Sequence, residues 1–284
     1  MVMPKSVTLV LGGIGAKGTA SIGVLQSMRE HKIKVKRIVA SGISSIIAAQ
    51  FALGRDPQLL TEYFVQFFAK YQQKLWGLAQ LEGFRARQTN RAISDFSYFI
   101  RGVSFFRDNF NKISTVPWDS LQQDLNAVFG DIKYTDLKLP LSIAAIDLSL
   151  NQEVLIENEN LIESLKAGIA FPGLLPPVSI GGHDMISSTL YCELPLASLK
   201  KAWRPVLAID IPNVRDVAPP RSAVEILAEI DQMRRLAIKM RLLENADRVF
   251  NLESISHLRE DYGQVPNLVS LAYSNTNKLL NSLS

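Results

Sequence analysis

The sequence is poor in the residues that build disulfides and metal sites. It carries a single cysteine, Cys192, and three histidines, His31, His183 and His257, in 284 residues. One thiol cannot make an internal disulfide, and such sparing use of cysteine fits a reducing compartment. No His, Cys and acidic side chains fall at ligand spacing, so no metal is expected. Uninterrupted apolar runs long enough to span a bilayer are also missing. The N-terminal MVMPKSVTLVLGG has neither a long apolar segment nor a small-residue cleavage site, and its apolar run suits a strand. The net charge of +4 is small, and the lysines and arginines are scattered, so no nucleic-acid footprint is visible. These absences predict a soluble cytoplasmic protein. Its weakly basic surface is compatible with peripheral contact with anionic lipid.

What is present is core-forming material: 47% of the residues are hydrophobic, enough for one large α/β domain over residues 1–284. Two Val- and Ile-rich runs, 7–11 and 35–40, read as buried parallel strands, each followed by a glycine-containing turn and a helix-period pattern. Further strands are expected at 141–146, 153–156, 206–211 and 248–252, with a short strand pair entered through Pro176-Pro177-Val178 and turning at Gly181-Gly182. Helices are expected at 19–31, 44–53, 118–129, 161–169, 223–245 and 266–283. Gly54 stands where a helix C′ residue belongs, and Asp56-Pro57 where the next helix would start. Residues 57–112 are crowded with aromatics such as Phe64, Phe67, Phe68, Tyr71 and Trp76, interleaved with Lys70, Arg85, Arg91 and Arg101. They read as two or three amphipathic helices with loops around Gly83 and Gly102, a layer packed on the sheet, a cap-like insertion whose aromatic and basic face can rest on lipid, or both at once.

The first turn, Gly12-Gly13-Ile14-Gly15-Ala16-Lys17-Gly18, admits several chemistries. A Walker A loop fails because Lys17 precedes Gly18 instead of following it. Gly13-x-Gly15-x-x-Gly18 matches the dinucleotide fingerprint between a strand and a helix, so a nucleotide-binding module remains an alternative. That fingerprint also wants an acid about 20 residues on, and none ends the second strand. Backbone amides of Gly13, Ile14 and Gly15, with Lys17 and Gly18 beside them, could instead form an oxyanion hole. A tight turn with no ligand is the plainest alternative. The second turn, Gly42-Ile43-Ser44-Ser45-Ile46, holds the first glycine and the serine of a Gly-x-Ser-x-Gly elbow, with a β-branched residue replacing the second glycine.

Taken together, these stretches resemble the patatin-like phospholipase family. LVLGGIGAKGTASIGVLQ is similar to its glycine-rich oxyanion loop and helix, with Ile14 where a glycine is usual. IVASGISSIIAA is similar to its nucleophile turn, and the likeness runs on through YTDLKLPLSIAAIDL and AGIAFPGLLPPVSIGGH to the ELPL segment at 193–196. The resemblance implies a three-layer α/β/α sandwich with a mostly parallel sheet. It further implies hydrolysis of lipid acyl esters by a Ser-Asp dyad, without metal or cofactor, and a lipid or acyl-ester ligand. By that resemblance Ser44 is the nucleophile.

The likeness breaks at the acid. Counting back from Pro195 without a gap, the family's Asp-Gly-Gly triplet falls on Ser187-Ser188-Thr189. A hydroxyl at 187 cannot take a proton from Ser44 at neutral pH, and general-base help is worth roughly 10²–10⁴-fold. Asp184 is the nearest substitute, but an offset of three in a strand reverses its face and displaces it by roughly 10 Å. Asp147 and Asp210 end apolar strands and read as structural. The expectation is therefore a family member with a degenerate dyad and weak or absent hydrolysis, a pseudoenzyme that binds a lipid or a partner.

Overall fold

The computed structural model describes residues 3–13, 15–83, 113–114, 116–212, 223–252 and 262–283. The expected 84–112 part of the cap-like insertion lies outside the described residues, as does Ile14. Among the described residues the strands are β1 (Ser6–Leu11), β2 (Lys34–Ala40), β3 (Leu141–Asp147), β4 (Gln152–Ile156), β5 (Val178–Ile180), β6 (His183–Ser187), β7 (Val206–Asp210) and β8 (Arg248–Asn251). The helices are α1 (Ala20–Glu30), α2 (Ile43–Ala52), α3 (Pro57–Gly83), α4 (Asp119–Phe129), α5 (Leu161–Ile169), α6 (Ala223–Leu242) and α7 (Val265–Ser282).

The strands form one sheet in the order β5-β6-β3-β2-β1-β7-β8, with β4 also paired to β3. From β3 to β8 the pairing is parallel; β4, β5 and β6 add antiparallel pairs at one side. The central strands are apolar on both faces because both faces are covered. Leu9, Leu11, Ile38, Ala40, Leu207 and Ile209 join the principal core with residues of α1, α2, α3 and α7. The alternate residues Val10, Val39, Val206 and Ala208 face Leu194, Leu196, Trp203 and the end of α6 at Leu242.

Local signals in the sequence place most helix ends. Gly54 takes φ +86 just after α2, and the Asp56 carboxylate accepts the Gln58 N–H at 2.9 Å before Pro57 opens α3. Helix α3 runs unbroken to Gly83 and buries Leu60, Phe64, Phe67, Phe68 and Tyr71. The leading part of the aromatic stretch thus contributes to the core. Helix α1 lies against α7 at unusually short range. A Cβ added to Gly23 would sit 2.1 Å from the Val269 carbonyl oxygen and 2.6 Å from the Tyr273 nitrogen.

On the second face of the sheet, β4 carries Glu153 beneath the segment 190–200. Burial pushes its carboxyl from 4.5 up to about 7. A carboxyl raised in this way is protonated in the folded chain while its unfolded counterpart is already ionised. Stability therefore falls as pH climbs from about 4.5 towards 7 and levels off above.

Two outcomes follow from this packing. Gly23→Ala should cost about 1–3 kcal/mol or more by forcing α1 and α7 apart, read as a lower urea midpoint at unchanged m. Glu153→Gln should gain stability over the wild type through the window from pH 4.5 to 7 and hold that gain above it, on the order of 1–3 kcal/mol. Parallel urea titrations at pH 5 and pH 8 check the sign, and equal midpoint differences at the two values would refute it.

Candidate active site

The site sits where β1 and β2 end. Strand β1 leads into Gly12-Gly13, then a 3₁₀ turn over Gly15–Thr19 and on into α1. Strand β2 leads through Ser41 and Gly42 into α2. Both turns thus open at the carboxyl edge of the parallel strands, the usual location of sites in open α/β sheets.

The sharp point of the second turn is Gly42. Its φ of 61° and ψ of −148° border the region that only glycine holds without strain. Its N–H donates to the Gly168 carbonyl at 3.0 Å, and its carbonyl accepts the Ser45 N–H at 3.0 Å. Ser44 comes two residues later, in the first turn of α2, and is completely buried. Its Oγ lies 2.8 Å from Ser21 Oγ, 3.0 Å from the Gly12 carbonyl oxygen and 3.2 Å from that of Gly18. Ser21 in turn donates to the Gly18 carbonyl at 2.8 Å. Two hydroxyl protons are shared among backbone acceptors, and no carboxylate or imidazole is within hydrogen-bonding reach of Ser44 among the described residues. The cluster ties α1 and α2 to the glycine turn.

The glycine turn is closed upon itself and upon the elbow. A Cβ on Gly13 (φ 144) would lie 2.6 Å from the Gly18 Cα. One on Gly12 would collide with the Glu193 carbonyl oxygen, which also accepts the Ser41 hydroxyl at 2.8 Å. One on Gly42 would lie 2.5 Å from the Gly13 carbonyl oxygen and 2.9 Å from Thr189 Cγ2. The predicted oxyanion residues are therefore together, Gly13, Gly15 and Gly18 with Lys17 buried among them. Yet what Gly12, Gly13 and Gly18 turn towards Ser44 and Gly42 is carbonyl oxygen, which repels a developing negative charge.

Ser187 ends β6, opposite Ala145 of β3, with its N–H donating to the Ala170 carbonyl at 3.0 Å. Its hydroxyl pairs with Thr189 Oγ1 at 3.0 Å. The 187–189 turn packs upon Gly42, not upon Ser44. Asp184 stands on the exposed face of the β5-β6 hairpin, paired across to Ser179, so the strand alternation turns it away from the site. Asp147 is buried at the end of β3, where it accepts the Ser149 and Leu150 N–H groups and meets His183 Nδ1 at 2.9 Å. Asp210 pairs with Lys239 at 2.9 Å. Each stands at the end of a strand. Cys192 is buried, and burial pushes its thiol up to about 11. No group of His, Cys, Asp and Glu among the described residues could hold a metal.

Ser21 escapes a motif search, whereas Gly42 and Thr189 fall within the motifs but not in the positions the structure gives them. The signal for Gly42 is its place as the glycine that follows β2 and Ser41, where a strand must turn sharply into a helix.

The sequence pattern of the patatin-like phospholipase family matches residues 9–196. The chain is similar to lysophospholipase NTE1 of Eremothecium gossypii, 22% identical over 217 residues, which cover 76% of this chain and 12% of that protein. An uncharacterised NTE family protein of Mycobacterium tuberculosis is 23% identical over 193 residues, 68% of this chain and 45% of its own length. The chain thus spans less than half the length of either relative. Among solved structures, VipD from Legionella pneumophila aligns at a TM-score of 0.47 and 12% identity, over 99% of this chain and 68% of that one. With the match running from β1 through the glycine turn, Gly42 and Ser44 to the segment after Ser187, the chain belongs to the patatin-like phospholipase family.

Proposed function

We propose that this chain is a hydrolytically silent member of a lipid hydrolase family, which retains the domain as a scaffold for binding a lipid acyl ester or a partner. The observation that carries this is the contact between Gly42 and the 187–189 turn. A serine hydrolase needs its nucleophile on the strained strand-to-helix point and a base beside it. Here the strained point is a glycine without a side chain, and the nearest groups are a methyl of Thr189 and the Gly13 carbonyl oxygen. The acid position holds Ser187, whose hydroxyl is spent on Thr189.

In this reading Ser44 is structural. Its hydroxyl is sealed from solvent and surrounded by carbonyl oxygens and Ser21, none of which can act as a general base at neutral pH. No path through Asp184 supports it, because that carboxylate stands on an exposed hairpin. The nucleotide-binding alternative is not favoured. The family match covers the glycine turn, and its glycines pack against each other and against the Glu193 carbonyl, leaving no cradle for a pyrophosphate.

Ester hydrolysis and folding stability, measured on the same variants, test the reading. Ser44→Ala should leave the hydrolysis of a short-chain ester and of a lysophospholipid at the wild-type background. It should also cost about 1–3 kcal/mol in unfolding free energy, through the lost ties to Gly12, Gly18 and Ser21. A Ser44-dependent rate loss of roughly 10²-fold, the low end of what a general base supplies, would refute the silent reading. Labelling of Ser44 by a fluorophosphonate probe would refute it equally. Ser187→Asp alone should not raise the rate, because no nucleophile faces residue 187. A thermal-shift titration with NADP(H) should show no stabilisation.

A further inference from the structure

Helix α6 is held to the sheet by its C-terminal half. Lys239 Nζ meets the Asp210 carboxylate at the carboxyl end of β7, 2.9 Å away. Leu242 packs against the apolar cluster of Leu196 and Val206 on the second face of the sheet. These two side chains, with half-buried Arg235, mark the inner side of the helix. Among the described residues of α6 none is buried.

The side turned away from the sheet carries a regular pattern. Ala223, Ile226, Ile230, Met233, Ala237 and Met240 follow one another at alternating steps of three and four residues, and all six are exposed. The four large ones are between 39% and 60% exposed. At about 100° per residue, Leu242 stands on the opposite side from Met233. A spacing that averages 3.5 residues keeps an apolar stripe in line along a helix that winds around another helix.

The borders of the stripe differ in charge. Glu229 and Leu236 stand on one border; Leu227, Arg234 and Arg241 stand on the other. In a parallel pair of such helices, each residue of the first border meets the residue five positions further along on the partner's second border. Glu229 then meets the partner's Arg234, twice by symmetry, and Leu236 lies under the aliphatic stem of the partner's Arg241. In the antiparallel alignment that overlaps the same stripe, Arg234 meets Leu227 and Glu229 meets Leu236, so no opposite charges come together.

We propose that α6 is the interface of a homodimer, in which the stripes of two copies pack as a short parallel coiled coil with Glu229–Arg234 pairs along both borders. The sheets of the two copies lie on the outer sides of this pair, because the stripe is opposite the inner side of α6. The contact is the same patch on both copies and closes at two. An anionic bilayer would also cover the stripe, but it would set Glu229 against charge of its own sign. The pairing goes beyond the reading given above and does not depend on the chemistry at Ser44.

Sedimentation velocity of the full chain over a concentration series tests it, with a reversible shift from one chain to two expected as concentration rises. Ile230→Lys with Met233→Lys should raise the concentration of half-dissociation roughly tenfold or more, with the far-UV circular dichroism unchanged. Glu229→Arg alone and Arg234→Glu alone should each raise it severalfold, and the two together should restore the wild-type value. Met240→Cys should cross-link to its counterpart on oxidation, a product the wild type does not give because Cys192 is buried. In the antiparallel alignment residue 240 faces Ala223 of the other copy, and no such product forms. A single chain at every concentration overturns the proposal, as does a dimer that the folded stripe variants leave intact. A dimer without the Met240→Cys cross-link, or without rescue by the paired charge exchange, overturns it as well. So does a monomer that binds phosphatidylserine vesicles and loses that binding in the stripe variants.

Discussion

The approach of the glycine turn to the elbow constrains the rest of this structure. Gly13 brings its carbonyl oxygen so near Gly42 that no Cβ fits between them, and Gly18 packs on Gly13 in the same fashion. The Ser21–Ser44 pair then binds the carbonyl oxygens of Gly12 and Gly18. Those contacts hold the first turns of α1 and α2 to the ends of β1 and β2. Each is a short-range polar contact in a fully buried place, where an unsatisfied carbonyl would be costly.

That arrangement has a chemical consequence. An oxyanion site needs N–H groups converging on an open position, with a nucleophile and a base beside it. Here the carbonyl oxygens of Gly12 and Gly18 meet the Ser44 hydroxyl, and that of Gly13 lies against Gly42 beside the Thr189 methyl. Glu193 reinforces this, since its carbonyl both receives the Ser41 hydroxyl and presses against Gly12. The buried Glu153 carboxyl lies beneath the same 190–200 segment and makes part of that packing sensitive to pH.

Much of the architecture can be read along the chain. The apolar runs at 7–11, 35–40 and 206–211 appear as central strands because strands covered on both faces need no alternation. Gly54 and Asp56-Pro57 mark helix ends through local chemistry alone. In the 57–112 stretch, aromatic residues at helical spacing are compatible with both a buried layer and a lipid-facing lid. Only the tertiary structure shows that Phe64, Phe67, Phe68 and Tyr71 are buried in the core. Gly83, where the first of the expected helices would give way to a loop, is the last residue of α3, and the other expected loop, around Gly102, lies outside the described residues.

The sequence alone determined the fold class, the position of both glycine turns and the family likeness. Each of these depends on residue type at a known offset. The tertiary structure decided which residue stands at the strained point, what surrounds Ser44 and which way α6 turns its apolar side. Those outcomes depend on backbone dihedrals and on neighbours distant in the chain, such as Gly13 against Gly42, Thr189 over the elbow, and Asp210 drawing Lys239 inward. A serine two residues past a glycine has the same spelling whether its hydroxyl is poised for attack or sealed against carbonyls, and only the packing of remote segments separates the two.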